Sequence, residues 1–229
     1  MMAGGLISVV DRKYLNGPAR VLVEIPDFRK DLTVGEPAES DGIKIIFDSG
    51  FEINLASARL WQPVVRNISV RETASCLILE KLKGYVFVRP QYIENFKNAA
   101  LKSDPELLAA SVGSLTGLGA GLTPSGDDFL AGFISACHFF KSCERHKFIL
   151  ENVKINFDST NLISACYLKY AVEGRISELI SNVVISASGE NDNAGLWIEK
   201  LLGIGATSGA DTLNGILAAM EVYNDCKYN

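Results

Sequence analysis

The sequence is poor in histidine and lacks the cysteine spacings that mark metal or disulfide sites. Its two histidines, His138 and His146, have no accompanying Asp or Ser motif, so a Ser-His-Asp triad is not indicated. No two cysteines form a C-x-x-C pair, which argues against a zinc cluster and against a disulfide framework. The five cysteines are Cys76, Cys137, Cys143, Cys166 and Cys226. We therefore predict reduced thiols and no bound metal.

An excess of positive charge and long apolar segments are also missing. The chain has 22 Lys and Arg residues against 27 Asp and Glu residues, a formal net charge of −5, which disfavours nucleic acid as a partner. No apolar run is long enough to span a bilayer, and the N-terminal stretch lacks the basic region of a signal peptide. The hydrophobic fraction of 48% is too high for a disordered chain. These features predict a globular cytoplasmic protein that contacts neither nucleic acid nor a membrane.

The first quarter of the chain shows the period of β-structure. Short apolar or alternating runs bounded by turn residues occur at 6–10, 19–25, 43–47 and 51–55. The last two runs are joined by Asp48-Ser49-Gly50, as in a hairpin. We predict that these strands form a small antiparallel sheet or barrel.

From about residue 67 onward the apolar spacing becomes helical. Helices are predicted after the capping residues Ser69 and Ser103 and, further along, over 124–142, 161–173, 176–186, 194–202 and 209–223. The short apolar stretch 85–88 is a candidate for one more strand. The predicted fold class is therefore α+β, with a β-rich N-terminal domain over residues 1–66 and a larger helical domain over residues 67–229.

The segment from Gly117 to Gly132 combines a Gly-rich loop with the start of a helix, and Thr123 stands as N-cap before Pro124. A helix N-terminus offers unpaired N–H donors and partial positive charge, so the segment predicts a site for phosphate or carboxylate. No Lys follows the glycines, and their spacing is not a clean G-x-G-x-x-G, so no nucleotide or other cofactor is predicted. The proposed anion-binding residues are Gly119, Gly121, Thr123, Ser125 and Gly126.

Three aspartates are the candidate catalytic residues. Asp127 and Asp128 fall in the first turn of the predicted helix, and Asp211 occupies the position of Asp128 in a second, similar segment. Interaction with the helix dipole is an alternative explanation for acids in a first turn. However, the apolar face that begins at Phe129 should draw these carboxylates into the protein, where they need hydrogen-bond donors or a cation. We predict that they orient a polar substrate.

Other polar residues are candidates for the same pocket. Thr160 and Ser164 are four residues apart and would share one face of a helix, although capping and helix packing explain them equally well. Arg89 is the arginine best placed to bind an anionic substrate bidentately, because Pro90 follows it at a change from strand to helix. Surface ion pairing is the alternative role for Arg89.

The chain contains a weak internal similarity. Ser125-Gly-Asp-Asp-Phe-Leu-Ala-Gly132 and Ser208-Gly-Ala-Asp-Thr-Leu-Asn-Gly215 share the pattern S-G-x-D-x-L-x-G, and both follow a G-[LI]-G-A run. Equivalent residues of the two segments are 83 positions apart. One interpretation is a pair of loop-to-helix units related by local pseudo-symmetry. The other is that tight helix packing has selected small residues twice.

The residues from Gly117 to Gly132 resemble the signature of a bacterial family long labelled as of unknown function, which includes the AllH-type subunit of oxamate carbamoyltransferase. The resemblance extends over 160–178 and 203–215, whereas the β-rich part is similar only in general layout. It implies a transferase that converts oxalurate and phosphate to oxamate and carbamoyl phosphate during anaerobic use of allantoin. It also implies a complex with two other subunit types. The Ser-Thr-Arg-Thr phosphate loop of ordinary transcarbamylases is absent.

Three hypotheses follow for the function. The first is an enzyme subunit that acts on a small carbamoyl or carboxylate substrate, with a small anion or phosphate as ligand. The second is a non-catalytic binding or assembly subunit, in which the Gly-rich segments are close-packing devices and a homo-oligomer is also compatible. The third is metal-dependent hydrolysis by the aspartates, which the absence of a recognisable metal motif makes the weakest.

Overall fold

A computed structural model describes residues 7–24, 30–87, 89–189 and 193–228. Within these ranges the chain is α+β, with five short strands in two sheets followed by nine helices, which confirms the predicted fold class. No helix in the described part of the chain has the length and apolar character needed to cross a membrane. The division into domains at residue 66 stays a prediction.

The strands form two separate sheets. Their bounds are β1 Ser8–Asp11, β2 Arg20–Val23, β3 Ala38–Ser40, β4 Lys44–Phe47 and β5 Glu52–Asn54. Strands β4 and β5 are antiparallel as predicted, with Ile45 paired with Ile53, and β3 adds a third antiparallel strand beside β4. Strands β1 and β2 instead pair in parallel, because the connection doubles back through Gly17-Pro18 and Ala19, whose φ is 48°. The polar strand β3 carries no apolar pattern, which explains why the sequence did not predict it.

The helices make up most of the remaining chain. Their bounds are α1 Glu72–Lys81, α2 Pro90–Lys102, α3 Pro105–Leu115, α4 Ser125–Cys137, α5 Glu144–Asn152, α6 Leu162–Val172, α7 Glu178–Ala187, α8 Ala194–Leu202 and α9 Ser208–Tyr228. A single turn of 3-10 helix at Phe157–Ser159 precedes α6.

The structure corrects several predicted elements. Residues 85–87 form no strand, and Val88 lies outside the described residues. Helix α4 ends five residues before its predicted end at Ser142, because the chain turns at Phe139 and Phe140 and both rings are fully buried. Helices α2 and α5 were not predicted, since most of their residues are polar and few positions face the core.

The core lies around the pair formed by α4 and α9, which is the most extensive helix contact in the described part of the chain. Phe96 from α2 packs edge-on against Phe133 of α4, with ring centroids 4.8 Å apart. The β-rich part is tied to the helices through Asn16, whose backbone and side-chain N–H groups both donate to Glu178 at the start of α7. The Ile68 N–H donates to the Phe139 carbonyl at 2.9 Å.

Two cysteines are bonded to each other, which makes the prediction of reduced thiols wrong for this pair. Cys143 and Cys226 form a disulfide across 83 residues of sequence. Spacing along the chain carries no signal for such a bond, because it depends on the packing of α9 against the corner between α4 and α5. Cys76, Cys137 and Cys166 are free thiols.

Candidate functional site

Helices α4 and α9 are each preceded by a Gly-rich loop and begin at the same end of the molecule. The carboxylate of Asp128 on α4 accepts a hydrogen bond from Ser208, the first residue of α9. Conversely, Asp211 on α9 accepts a hydrogen bond from Ser125, the first residue of α4. Because each helix start contacts the first turn of the other, both N-termini and both loops meet at one place.

Glycines allow the two helix backbones to touch below this point. A Cβ on Gly132 would overlap the Thr212 carbonyl oxygen, and a Cβ on Gly215 would overlap the Phe129 carbonyl oxygen. Gly132 and Gly215 occupy equivalent positions of the repeat, and so do Phe129 and Thr212. The two contacts are therefore the same contact made twice, as an approximate two-fold relation requires. These contacts agree with a local pseudo-symmetry of the two units, and at Gly132 and Gly215 they also give the small residues a role in close packing.

The equivalence continues further along the helices than the sequence pattern showed. Phe140 and Tyr223, again 83 positions apart, pack with ring centroids at 5.3 Å. The disulfide joins Cys143 to Cys226, which are also equivalent. The approximate two-fold relation thus runs from the acids at the helix starts to the disulfide beyond the end of α4.

The acid of each unit contacts one hydroxyl group of its own unit and one of the other unit. The hydroxyls of Ser208 and Thr123 lie within hydrogen-bonding reach of Asp128, and those of Ser125 and Thr207 lie within reach of Asp211. One oxygen of each acid, Oδ2, is buried and has no hydrogen-bond partner in the described part of the chain. Asp211 is only 5% exposed. A buried acceptor without a donor is costly and calls for a ligand, a water molecule or a proton.

Burial is the main electrostatic influence on both acids. It raises the pKa of Asp128 to about 7, against the hydroxyl hydrogen bonds that favour the charged form, and the negative charges of Asp211 and Asp127 add to the rise. Burial likewise raises the pKa of Asp211. Asp128 and Asp211 are thus the two acids of the site whose pKa is raised by their surroundings.

The raised pKa of Asp128 predicts a pH-dependent cost to stability. Between about pH 4 and pH 7 the folded protein retains a proton that the unfolded chain loses, so the free energy of unfolding falls as pH rises and levels off above 7. Asp128→Asn should remove this slope and be more stable than the wild type at pH 8, but not at pH 4.5. Urea unfolding of both proteins at the two pH values measures the difference. An equal difference at both values would contradict the shifted pKa.

Asp127 has a different environment from the other two acids. It is 2% exposed, and both of its carboxylate oxygens are occupied by protein donors. Oδ1 accepts the Gly117 N–H at 2.8 Å, and Oδ2 accepts the hydroxyl of Thr160. Asp127 therefore joins the start of the loop to the segment that leads into α6.

The loop from Gly117 to Pro124 leaves some N–H groups free and uses others. Gly117 has a φ of 73° and lies against the Ser159 carbonyl, which leaves no room for a side chain. The Gly126 N–H donates to the Leu118 carbonyl at 2.8 Å, so it is not available to an anion, contrary to the prediction for that residue. In the described part of the chain, the N–H groups of Gly119, Gly121 and Ser125 have no protein acceptor.

Other predicted residues differ in position from what the sequence indicated. Thr123 is not an N-cap, because Pro124 holds that position, and its hydroxyl instead lies 2.7 Å from the Ser208 hydroxyl. Thr160 precedes α6 in extended conformation, so it does not share a helical face with Ser164. Ser164 is 2% exposed and its hydroxyl has no partner among the described residues.

Arg89 is not brought to this site by any contact in the described part of the chain. It is the exposed N-cap of α2, with a φ of 52°, and makes no ion pair there. The site thus assembles Asp127, Asp128, Asp211, Thr123, Ser125, Thr160 and the loop glycines. Sequence reasoning missed Ser208 and Thr207, although the repeat pattern S-G-x-D already marked Ser208 as the equivalent of Ser125.

The segments that build the site contain no lysine or arginine. None occurs in residues 103–140, 155–168 or 201–226. In the described part of the chain, no group of three or more His, Cys, Asp or Glu side chains is arranged to hold a metal ion.

These features define an α+β protein with an acid and hydroxyl site between two equivalent loop-to-helix units. Residues 115–220 match the family described as "Oxamate carbamoyltransferase subunit AllH". The match contains both units and confirms, over this segment, the resemblance that the sequence predicted. It supports a carbamoyltransferase-associated subunit. No solved structure matches the chain.

Proposed function

We propose that this chain is a carbamoyltransferase subunit that binds the carbamoyl end of a small anionic substrate between the starts of α4 and α9. The observation that carries the proposal is the pair of buried, unpartnered Oδ2 atoms of Asp128 and Asp211. A carbamoyl or ureido NH₂ group has two N–H donors that diverge from one nitrogen. Such a group satisfies two acceptors that lie on either side of an approximate two-fold axis.

The opposite end of the substrate is proposed to meet the loops. A carboxylate or phosphate there accepts from the free N–H groups of Gly119, Gly121 and Ser125, at the positive end of α4. Asp127 is assigned to anchoring the loop, because its oxygens already have protein donors. A ligand with one anionic end and one NH₂ end, such as oxalurate or carbamoyl phosphate, matches both parts of the site.

For oxalurate the proposed reaction is a carbamoyl transfer to phosphate. A bond forms between an oxygen of hydrogen phosphate and the carbamoyl carbon, and the bond from that carbon to the oxamate nitrogen breaks. The proton of hydrogen phosphate ends on that nitrogen, which gives oxamate and carbamoyl phosphate. The contribution of this chain is to hold the carbamoyl group and to stabilise developing charge with loop N–H groups.

The test is a thermal-shift titration with oxalurate, carbamoyl phosphate, oxamate and phosphate at pH 8. A ligand at a hundredfold excess over Kd stabilises the native state by about 2.7 kcal/mol, so at least one of the first two should raise the melting temperature clearly. Asp128→Asn and Asp211→Asn should lose the shift, whereas Asp48→Asn, at an exposed turn in the β-rich part, should keep it. A full shift in both site variants would refute the proposed site.

A second candidate, the assembly subunit without a ligand, is favoured by the glycine contacts between α4 and α9. Those contacts explain Gly132 and Gly215, but they do not explain buried carboxylates whose Oδ2 atoms lack donors. The absence of any thermal shift in the wild-type protein would favour this candidate.

A further inference from the structure

Exposed apolar side chains border the site. Leu122 is 75% exposed, Leu162 is 63% exposed and Ile204 is 47% exposed. We call these three residues the loop rim. Single exposed leucines are ordinary on protein surfaces, but a group of them at one place marks an interaction surface.

Each rim residue is fixed next to a residue of the site. Leu122 precedes Thr123, whose hydroxyl lies 2.7 Å from that of Ser208. The Ile204 carbonyl accepts the N–H of Gly209 in the first turn of α9. Leu162 follows closely on Thr160, which donates to Asp127. The loop rim therefore lies close to the site residues, at the end of the molecule where α4 and α9 begin.

The charges at this end are unbalanced. The site contains three aspartates, and the segments that build it contain no lysine or arginine. The proposed function, on which this inference rests, adds the negative charge of a substrate carboxylate and of phosphate. Enzymes that handle such anions commonly add cationic side chains to their backbone N–H donors. A cation for this site must therefore come from outside these segments.

We propose that another subunit of the carbamoyltransferase docks on the loop rim through an apolar surface and places at least one arginine or lysine over the acids and the bound substrate. Apolar contacts around a desolvated charged centre are the usual anatomy of a specific interface. A second copy of this chain is a poor occupant, because a two-fold contact through the rim would bring together two sets of aspartates with no cation between them.

The test uses the full chain and the purified companion subunits of the carbamoyltransferase from the same source. Leu122→Asp, Ile204→Asp and the double variant are compared with Leu60→Asp, which lies 88% exposed in an irregular segment of the β-rich part. The double variant should bind a companion subunit roughly a hundredfold more weakly, whereas Leu60→Asp should bind as the wild type does. At pH 8, where the Asp128 carboxylate is charged, Asp128→Asn should weaken binding and reduce its dependence on salt, because a negative charge below the partner's cation is lost.

Unchanged binding by the double rim variant would overturn the docking surface, and so would self-association of the chain alone that the rim variants abolish. The thermal-shift experiment separates this result from the proposed function. If a ligand raises the melting temperature and the double rim variant still docks normally, the substrate site is supported and the interface is refuted. If docking depends on the loop rim but no ligand raises the melting temperature of the chain or of the complex, the interface is supported and the substrate site is refuted.

Discussion

Gly132→Ala is expected to lower the free energy of unfolding by about 3 kcal/mol or more, at the upper end of the range for overpacked cores. The added Cβ would lie 2.9 Å from the Thr212 carbonyl carbon and 3.1 Å from its Cα, in addition to overlapping the carbonyl oxygen. These are backbone atoms of α9, so no change of rotamer relieves the clash. Helices α4 and α9 must therefore move apart, and contacts are lost in the most extensive helix interface of the core. Chemical denaturation followed by circular dichroism measures the loss.

The control is Gly113→Ala. Gly113 lies in α3 and has no atom within 4 Å of the position a Cβ would take. There the substitution should stabilise the protein by about 0.5–1 kcal/mol, because alanine loses less backbone entropy on helix formation. Gly215→Ala, at the equivalent position of the repeat, should resemble Gly132→Ala. If Gly132→Ala matched the control instead, the close contact of the two helices would be wrong.

The fold class was predictable because the change in apolar period along the chain is a local property. Alternation over residues 43–55 predicts a hairpin, and β4 and β5 form one. The parallel pairing of β1 with β2 was not predictable, since short strands joined by a brief loop normally run antiparallel. Helices α2 and α5 were missed because few of their residues are buried. These are Phe96, Ala99 and Ala100 in α2 and His146 and Ile149 in α5, and most of the other residues are polar, so the apolar pattern along each helix is short.

The sequence predicted which residues form the site, but not which of them are hydrogen-bonded to each other. A Gly-rich loop, first-turn acids and a repeat at 83 residues pointed to Asp128 and Asp211 without any coordinates. Ser208 of α9 is hydrogen-bonded to Asp128 of α4, and Ser125 of α4 is hydrogen-bonded to Asp211 of α9. These bonds depend on two helices starting at the same place, which is a property of the tertiary structure. The same fact determines which N–H groups remain free, since local capping rules assume an isolated helix.

The three aspartates illustrate why residue type alone does not assign a role. All three lie near the start of a helix and all are at least half-buried. Asp127 differs from the others because protein donors reach both of its oxygens, whereas Asp128 and Asp211 each keep one buried oxygen without a donor. The first arrangement stabilises the fold, and the second costs stability that a ligand can restore.

Asp127→Ala is therefore expected to destabilise the protein by about 3 kcal/mol, because it leaves the Gly117 N–H and the Thr160 hydroxyl without their acceptor. The loop should also lose its fixed position relative to α6, so ligand binding should fall with stability. Asp127→Asn should recover part of the loss, since its amide oxygen can still accept the Gly117 N–H and the Thr160 hydroxyl can turn to accept from the amide.

The measurement is urea unfolding at pH 8 for Asp127→Ala, Asp127→Asn and Asp128→Asn. In that order, we expect a large loss of stability, a smaller loss and a gain, because only Asp127 accepts hydrogen bonds from protein donors at both oxygens. A gain in stability from Asp127→Ala would show that the carboxylate is not an anchor. It would then rank with Asp128 and Asp211 as an acid held at a cost for the ligand, and the loop would need another support.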